Sequence, residues 1–310
     1  MTRKYDLTDE TRYMHGTALT RYMHGTTLTR YTHGTTLTRI RAVRDISRHG
    51  IVTGDLGGWI ESEDNLSHNG DAWIADNAVA LDASRVYGDA YVFGDAEVTG
   101  HACVAGNAHI GEYACVAGNA LVIGSVRVTG CATIHGQAHL RGFARVTGEV
   151  RILDSAVVAG SAELSGQVQV RGMAQVIGSA RLDGTVTLDR NAVVDDWAQL
   201  GSNAHIGYGA NVTRTDHVLA IGPVGSENVT ATIYRTVDDG HAVIVGCWGP
   251  GTLEELAAEV DRREEDDWLD RPEHLRARWR VQYNHVLALG ALMADAWRRH
   301  HPRPDTWRQF

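Results

Sequence analysis

From Gly70 to Thr213 the sequence is 24 six-residue units without one inserted or missing residue, opening GDAWIA, DNAVAL, DASRVY and closing YGANVT. The fifth place is Ile, Val or Leu in 23 of the 24, with Ala80 the exception. The third is Ala in 19, Val in 4 and Ser at Ser84. Positions two apart share one face of a strand, so each unit offers one inward pair. The first place is Gly in 16 units, which gives the chain an easy corner every six residues. A unit this short cannot bury its own apolar side and has to stack on the next turn of a coil. Three units per lap make an eighteen-residue, three-sided coil, and about eight laps at about 4.8 Å give a rod about 38 Å long.

Three segments follow: an N-terminal extension and cap over 1–69, the repeat coil over 70–213, and a C-terminal module over 214–310. The first contains a second repeat of nine residues, TRYMHGTAL from Thr11, TRYMHGTTL from Thr20, TRYTHGTTL from Thr29 and TRI from Thr38. Near identity of the copies points to tandem duplication. His15, His24 and His33 invite a metal-site reading, but metal sites draw on mixed ligands at converging spacing, and these do not converge. The region reads instead as a polar, Thr-rich expansion ahead of the cap, mobile or paired as added strands.

Past Thr213 the pattern predicts strands over 217–221, 230–237 and 241–247, set apart by Gly-Pro, Ser-Glu-Asn and Asp-Asp-Gly signals. Thr252 with Glu255 forms a capping box that opens a first helix, ending in the acidic run 264–267. Pro272 opens a second, with Leu275, Trp279, Tyr283, Val286, Leu289, Met293 and Trp297 on one packing face.

The stretch GDLGGWIESEDNLSHNGDAWIADNA, with Gly57, Gly58 and Trp59, then Asn65, Leu66 and Ser67, then Gly70, Asp71 and Trp73, resembles the YdcK-like branch of the hexapeptide-repeat proteins. The likeness covers 40–213. It implies a mainly β fold, a single-stranded left-handed parallel β-helix similar to the trimeric acyltransferase superfamily, here with an N-terminal cap and a small C-terminal α+β domain. Residues 216–251 are similar to a small module of phage and prophage hexapeptide proteins, which implies a phage or prophage origin. Neither likeness implies a particular activity.

Net charge is −9, there is no basic block, and Lys4 is the single lysine, so nucleic acid is not the expected partner. No apolar run reaches membrane-spanning length and Met1 leads into a polar stretch, so a cytoplasmic protein is expected. Cys103, Cys115, Cys131 and Cys247 lack CxxC spacing and read as free thiols.

No catalytic, cofactor or metal residue is assigned. Of the coil histidines His101, His109, His135, His139 and His205, folding by eighteen gathers His101, His135 and His139, and none has a carboxylate at an obvious position to orient it. On the side whose outward places include Leu121, Ile123, Val157, Ile177 and Val193, apolar residues stand where water is expected. Such a stripe marks a contact, either between copies in a homo-oligomer such as a trimer or with the C-terminal helix folding back. The leading reading is a non-enzymatic scaffold or protein-binding module. The alternative is an acyl-CoA-dependent acyltransferase with an inter-subunit active site.

Overall fold

The computed structural model describes residues 3–14, 18–23, 26–31 and 34–300. They fall into two compact units, Met1–Glu149 and Val150–Phe310.

In the first unit the described parts of the nonapeptide copies lie in strands. Tyr5–Met14 pairs antiparallel with Thr35–Ala42, with a register shift between Leu7 and Thr11. Ala18–Met23 pairs in the same sense with Thr26–Tyr31, setting Thr20 opposite Thr29. His15, His24 and His33 lie outside the described residues.

Thr35–Ala42 then pairs antiparallel with Leu56–Ile60, and Trp59 and Ile60 pair parallel with Val79 and Ala80. A parallel strand is therefore added on one side ahead of Gly70. The Gly-Gly-Trp entry is a packing requirement: a Cβ on Gly57 would stand 2.6 Å from Ile40, and one on Gly58 would stand 2.5 Å from the Ala78 carbonyl. The cap closes over the first coil, where Trp73 is wholly buried although it occupies an outward place. Asn65 ties the cap down, donating from Nδ2 to the carbonyls of Asp82 and Ser84, both at 3.0 Å.

Beyond the cap the chain is a β-solenoid of parallel-stacked, three-sided coils, with eighteen residues per lap as the period predicts. The pairs Glu97 with Cys115, Cys103 with Leu121, and His109 with Arg127 each belong to a different side. Backbone N–H groups donate one lap ahead, as from Val79 to the Ala96 carbonyl at 2.9 Å, so each lap satisfies the one before it. The third and fifth places are buried throughout.

The first place of the unit is a left-handed corner, with φ between +53° and +104° everywhere except Tyr208, where Gly209 takes that conformation instead. Gly fits there without strain. Four acidic exceptions recover something in exchange, because Asp76, Asp82, Glu112 and Asp154 accept the N–H of the first-place glycine one lap ahead at 2.7 to 3.0 Å.

In the second unit the same coils run to Asn211–Val212. A four-stranded antiparallel sheet follows in sequence order, Val218–Val224, Val229–Arg235, His241–Val245 and Trp248–Gly251. The sequence pattern predicts no strand at Trp248–Gly251, and the Gly-Pro signal placed after 221, at Gly222 and Pro223, lies inside the first strand. Helix α1, Leu253–Glu265, opens on the expected capping box, with Thr252 Oγ1 accepting from the Glu255 N–H and Glu255 Oε2 accepting from the Thr252 N–H.

Helix α2, Glu273–His300, begins right after Pro272. Ile233, Val243 and Val245 of the sheet form one core with Leu256, Val260, Trp268, Tyr283, Val286 and Trp297. One member of the expected helix stripe is corrected: Leu289 is 46% exposed. Gly290 faces the sheet in its place, where a Cβ would stand 2.7 Å from Ile233. A larger residue there would have to displace the Ile233 and Leu253 side chains. Among the described residues no helix is long and apolar enough to cross a membrane.

Candidate functional site

In the first unit one side of the coil differs from the other two. Its strands Cys103–Gly106, Leu121–Gly124 and His139–Gly142 are four residues long, whereas the coil strands of the other sides are two residues long. The added pairs, Ala105 with Ile123 and Gly106 with Gly124 among them, extend the ladder of this wall into the corners. Its outward residues include Tyr87 and Ile123, 39% and 37% exposed, the half-buried Cys103 and Leu121, and the exposed Arg85, His139 and Arg141.

At the start of the wall Leu66 bridges Val86, and the chain on either side of Leu66 stands over a cleft of about 730 Å³. Glu63, Asp64, His68, Arg85, Tyr87 and Cys103 are among its lining residues. The His68 ring stacks on Tyr5 at 4.2 Å and its Nδ1 accepts the Lys4 N–H at 3.3 Å. Burial holds the imidazole below its usual pKa, so the neutral ring is favoured. The Tyr87 phenol is held above its usual range by its hydrogen bond to Cys103 and by burial. Glu63 is engaged by Arg3 at 2.6 Å. The cleft thus sets the carboxylates of Glu63 and Asp64 beside Arg85, His68 and Tyr87.

The corresponding side of the second unit carries Val157, Ile177 and Val193, all half-buried, with Ala159 buried. The described contacts of α2 run to α1 and to the strands Val218–Val224 and Val229–Arg235. The helix spends its buried face there.

His101 and His139 are exposed and His135 is half-buried. His109 stands edge-on to Tyr91 at 5.9 Å, and burial followed by the charge of Arg127 lowers its pKa. Among the described residues no three His, Cys, Asp or Glu side chains are grouped to hold a metal ion. All four cysteines are free, and burial pushes the Cys115 thiol up to about 11.

The expectation that no coil histidine has an orienting carboxylate is overturned in the second unit. His205 Nε2 lies 3.0 Å from Asp189 Oδ2, and Arg171 reaches the same oxygen at 3.4 Å. Burial alone would raise the Asp189 pKa, but the hydrogen bond with His205 and the neighbouring Arg171 guanidinium outweigh it, and the carboxyl is held below its usual range. The His205 N–H donates to Thr232 Oγ1 at 3.1 Å, anchoring the residue from the backbone side. Folding by eighteen misses this pair because the two residues are sixteen apart. Asp189 ends one unit and leans diagonally toward the middle of a unit on the next lap. A search at eighteen minus two finds it.

No family model matches the sequence, and no curated protein matches it.

Proposed function

We propose that this chain is a non-enzymatic scaffold or protein-binding module of the hexapeptide-repeat type, YdcK-like and of phage or prophage origin, working in the cytoplasm. Copies of the chain associate through the apolar side of the coil, Leu121 and Ile123 in one unit and Val157, Ile177 and Val193 in the other. The observation that supports this reading is that one side carries five outward aliphatic side chains, Leu121, Ile123, Val157, Ile177 and Val193, interrupted by His139, Arg141 and Gln175. The other sides place Arg127, Arg145, Arg151 and Arg181 at equivalent positions. Solvated faces look like the latter, and contact faces like the former.

Light scattering after size exclusion tests it. The wild type elutes as an oligomer, and Ile123→Glu or Ile177→Glu lowers the mass with an unchanged circular dichroism spectrum. A wild type that is monomeric at tens of micromolar removes the reading.

The second reading, an acyl-CoA-dependent acyltransferase with its site between subunits, is favoured by one feature. A ring whose Nε2–H donates to Asp189 keeps a lone pair on Nδ1, the arrangement a general base requires. Titration of acetyl-CoA into the wild type and into His205→Gln decides it. Binding heat with acyl transfer lost in His205→Gln supports the enzyme, and a wild type that releases no heat ends that reading.

A further inference from the structure

Between Arg280 and Asp295, helix α2 has no Asp, Glu, Lys or Arg, and from Val286 to Ala294 it reads VLALGALMA. A helix apolar on all sides is a buried helix. Here only half of the circumference is covered. Tyr283, Val286, Gly290, Ala294 and Trp297 face the sheet and α1. On the opposite side Val281 is 53% and Leu292 67% exposed, with Ala288 exposed between them. Val281, His285, Ala288 and Leu292 are spaced four, three and four apart, a narrow stripe of the kind one helix presents to another.

We propose that this stripe is a contact between two copies of the chain, α2 lying antiparallel on the partner's α2 about a two-fold axis that passes between Val286 and Leu287. The choice of occupant comes from the stripe read against itself. Reversed about that point, Val281 meets Leu292 and His285 meets Ala288, so each large aliphatic gains an apolar neighbour and the small residue leaves room for the imidazole. Arg278, one turn outside Val281, meets Asp295, so the rim carries opposite charges at both ends. A parallel arrangement sets Arg278 against Arg278 and loses that complementarity. A two-fold contact is self-complementary by construction, which is what this register provides. The helix, at 28 residues, is about 42 Å long and spans the whole stripe without a break.

This contact does not depend on the apolar side of the coil, and its test separates the two. In full-length protein, Val281→Cys together with Leu292→Cys forms an interchain disulfide on mild oxidation. Each single variant stays at the wild-type background set by the exposed Cys131 and Cys247. Equivalent residues 281 of the two copies stand about 16 Å apart along the axis and are out of reach of each other. Leu292→Glu, at an exposed position that folding does not use, lowers the solution mass twofold without altering the circular dichroism spectrum. Ile123→Glu leaves the cross-link in place. A double variant that links no better than the singles overturns the proposal, as does a Leu292→Glu protein of unchanged mass, whatever becomes of the coil contact.

Discussion

The coils and the non-repeating segments that end them hide apolar side chains in opposite ways. Each lap buries six residues at its third and fifth places, chiefly three Ala and three Val, Leu or Ile, so the same small set of contacts is made on every lap. The C-terminal module relies on a few large rings, Trp268 lying 5.3 Å from Trp279 and 6.1 Å from Tyr283, with Trp297 donating to the Asp216 carbonyl at 2.7 Å. Redundancy spreads the consequence of damage along a coil. Concentration exposes the module to single changes. The largest expected effect tests this contrast: Trp297→Ala, at a residue 3% exposed, destabilises by about 3 to 5 kcal/mol, whereas Val176→Ala inside a coil costs about 2 kcal/mol. Urea unfolding followed by circular dichroism measures both. A coil variant costlier than the tryptophan one breaks the contrast.

That difference also decides what could be read in advance. The third and fifth places dictate the coil because the same demand is made 24 times over, so one poor unit such as the one with Ala80 changes nothing. The capping box of Thr252 and Glu255 was equally legible, being a local exchange of two hydrogen bonds. Features that depend on chain brought together from afar were not. The strand Trp248–Gly251 exists because His241–Val245 gives it a partner. The exchange of Leu289 for Gly290 at the sheet follows from the Ile233 and Leu253 side chains that stand against the helix there. The cleft beside Tyr87 needs residues 63–70 folded over the first laps, and the tie between Asp189 and His205 runs diagonally across the lattice that the repeat defines.

The N-terminal cap sharpens the comparison, since there a single group acts against the fold. Lys4 is wholly buried and its Nζ has no hydrogen-bond partner; burial, then the charge of Arg44, lowers its pKa to about 8, against weaker support from Asp71 and Asp89. Because the folded-state pKa lies below that of the unfolded chain, the unfolded state holds more protons between about pH 8 and pH 10.5. The penalty is present in full below that window and fades as pH rises through it. The wild type therefore gains stability, on the order of 3 kcal/mol, across the window. Lys4→Met removes this dependence and is the more stable protein at pH 7 by about 1 to 3 kcal/mol. Urea midpoints of both proteins at pH 7 and pH 9.5 read the difference, and a gap that does not close at the higher pH refutes the assignment.

The smallest effect lies within the coil, at a corner where glycine is missing. Asp154 holds φ at +59°, a conformation that disfavours any side chain, while its Oδ2 accepts the Gly172 N–H at 2.9 Å. Two opposing contributions of similar size meet there, a left-handed strain of about 1 to 2 kcal/mol and a solvent-exposed hydrogen bond to a charged oxygen worth about 1 kcal/mol. Asp154→Gly loses the bond and relieves the strain, so its stability stays within about 0.5 kcal/mol of the wild type. Asp154→Ala loses the bond and keeps the strain, and falls by about 1 kcal/mol. The order of the two variants is the informative quantity. Alanine equal to glycine at this corner means that the left-handed conformation carries no penalty there, and the repeated glycines then need another cause, the close approach of successive laps. Gly172 tests that cause separately: a Cβ on it would stand 2.8 Å from the Arg190 backbone nitrogen, so Gly172→Ala has to push the next lap away whatever its backbone angles prefer.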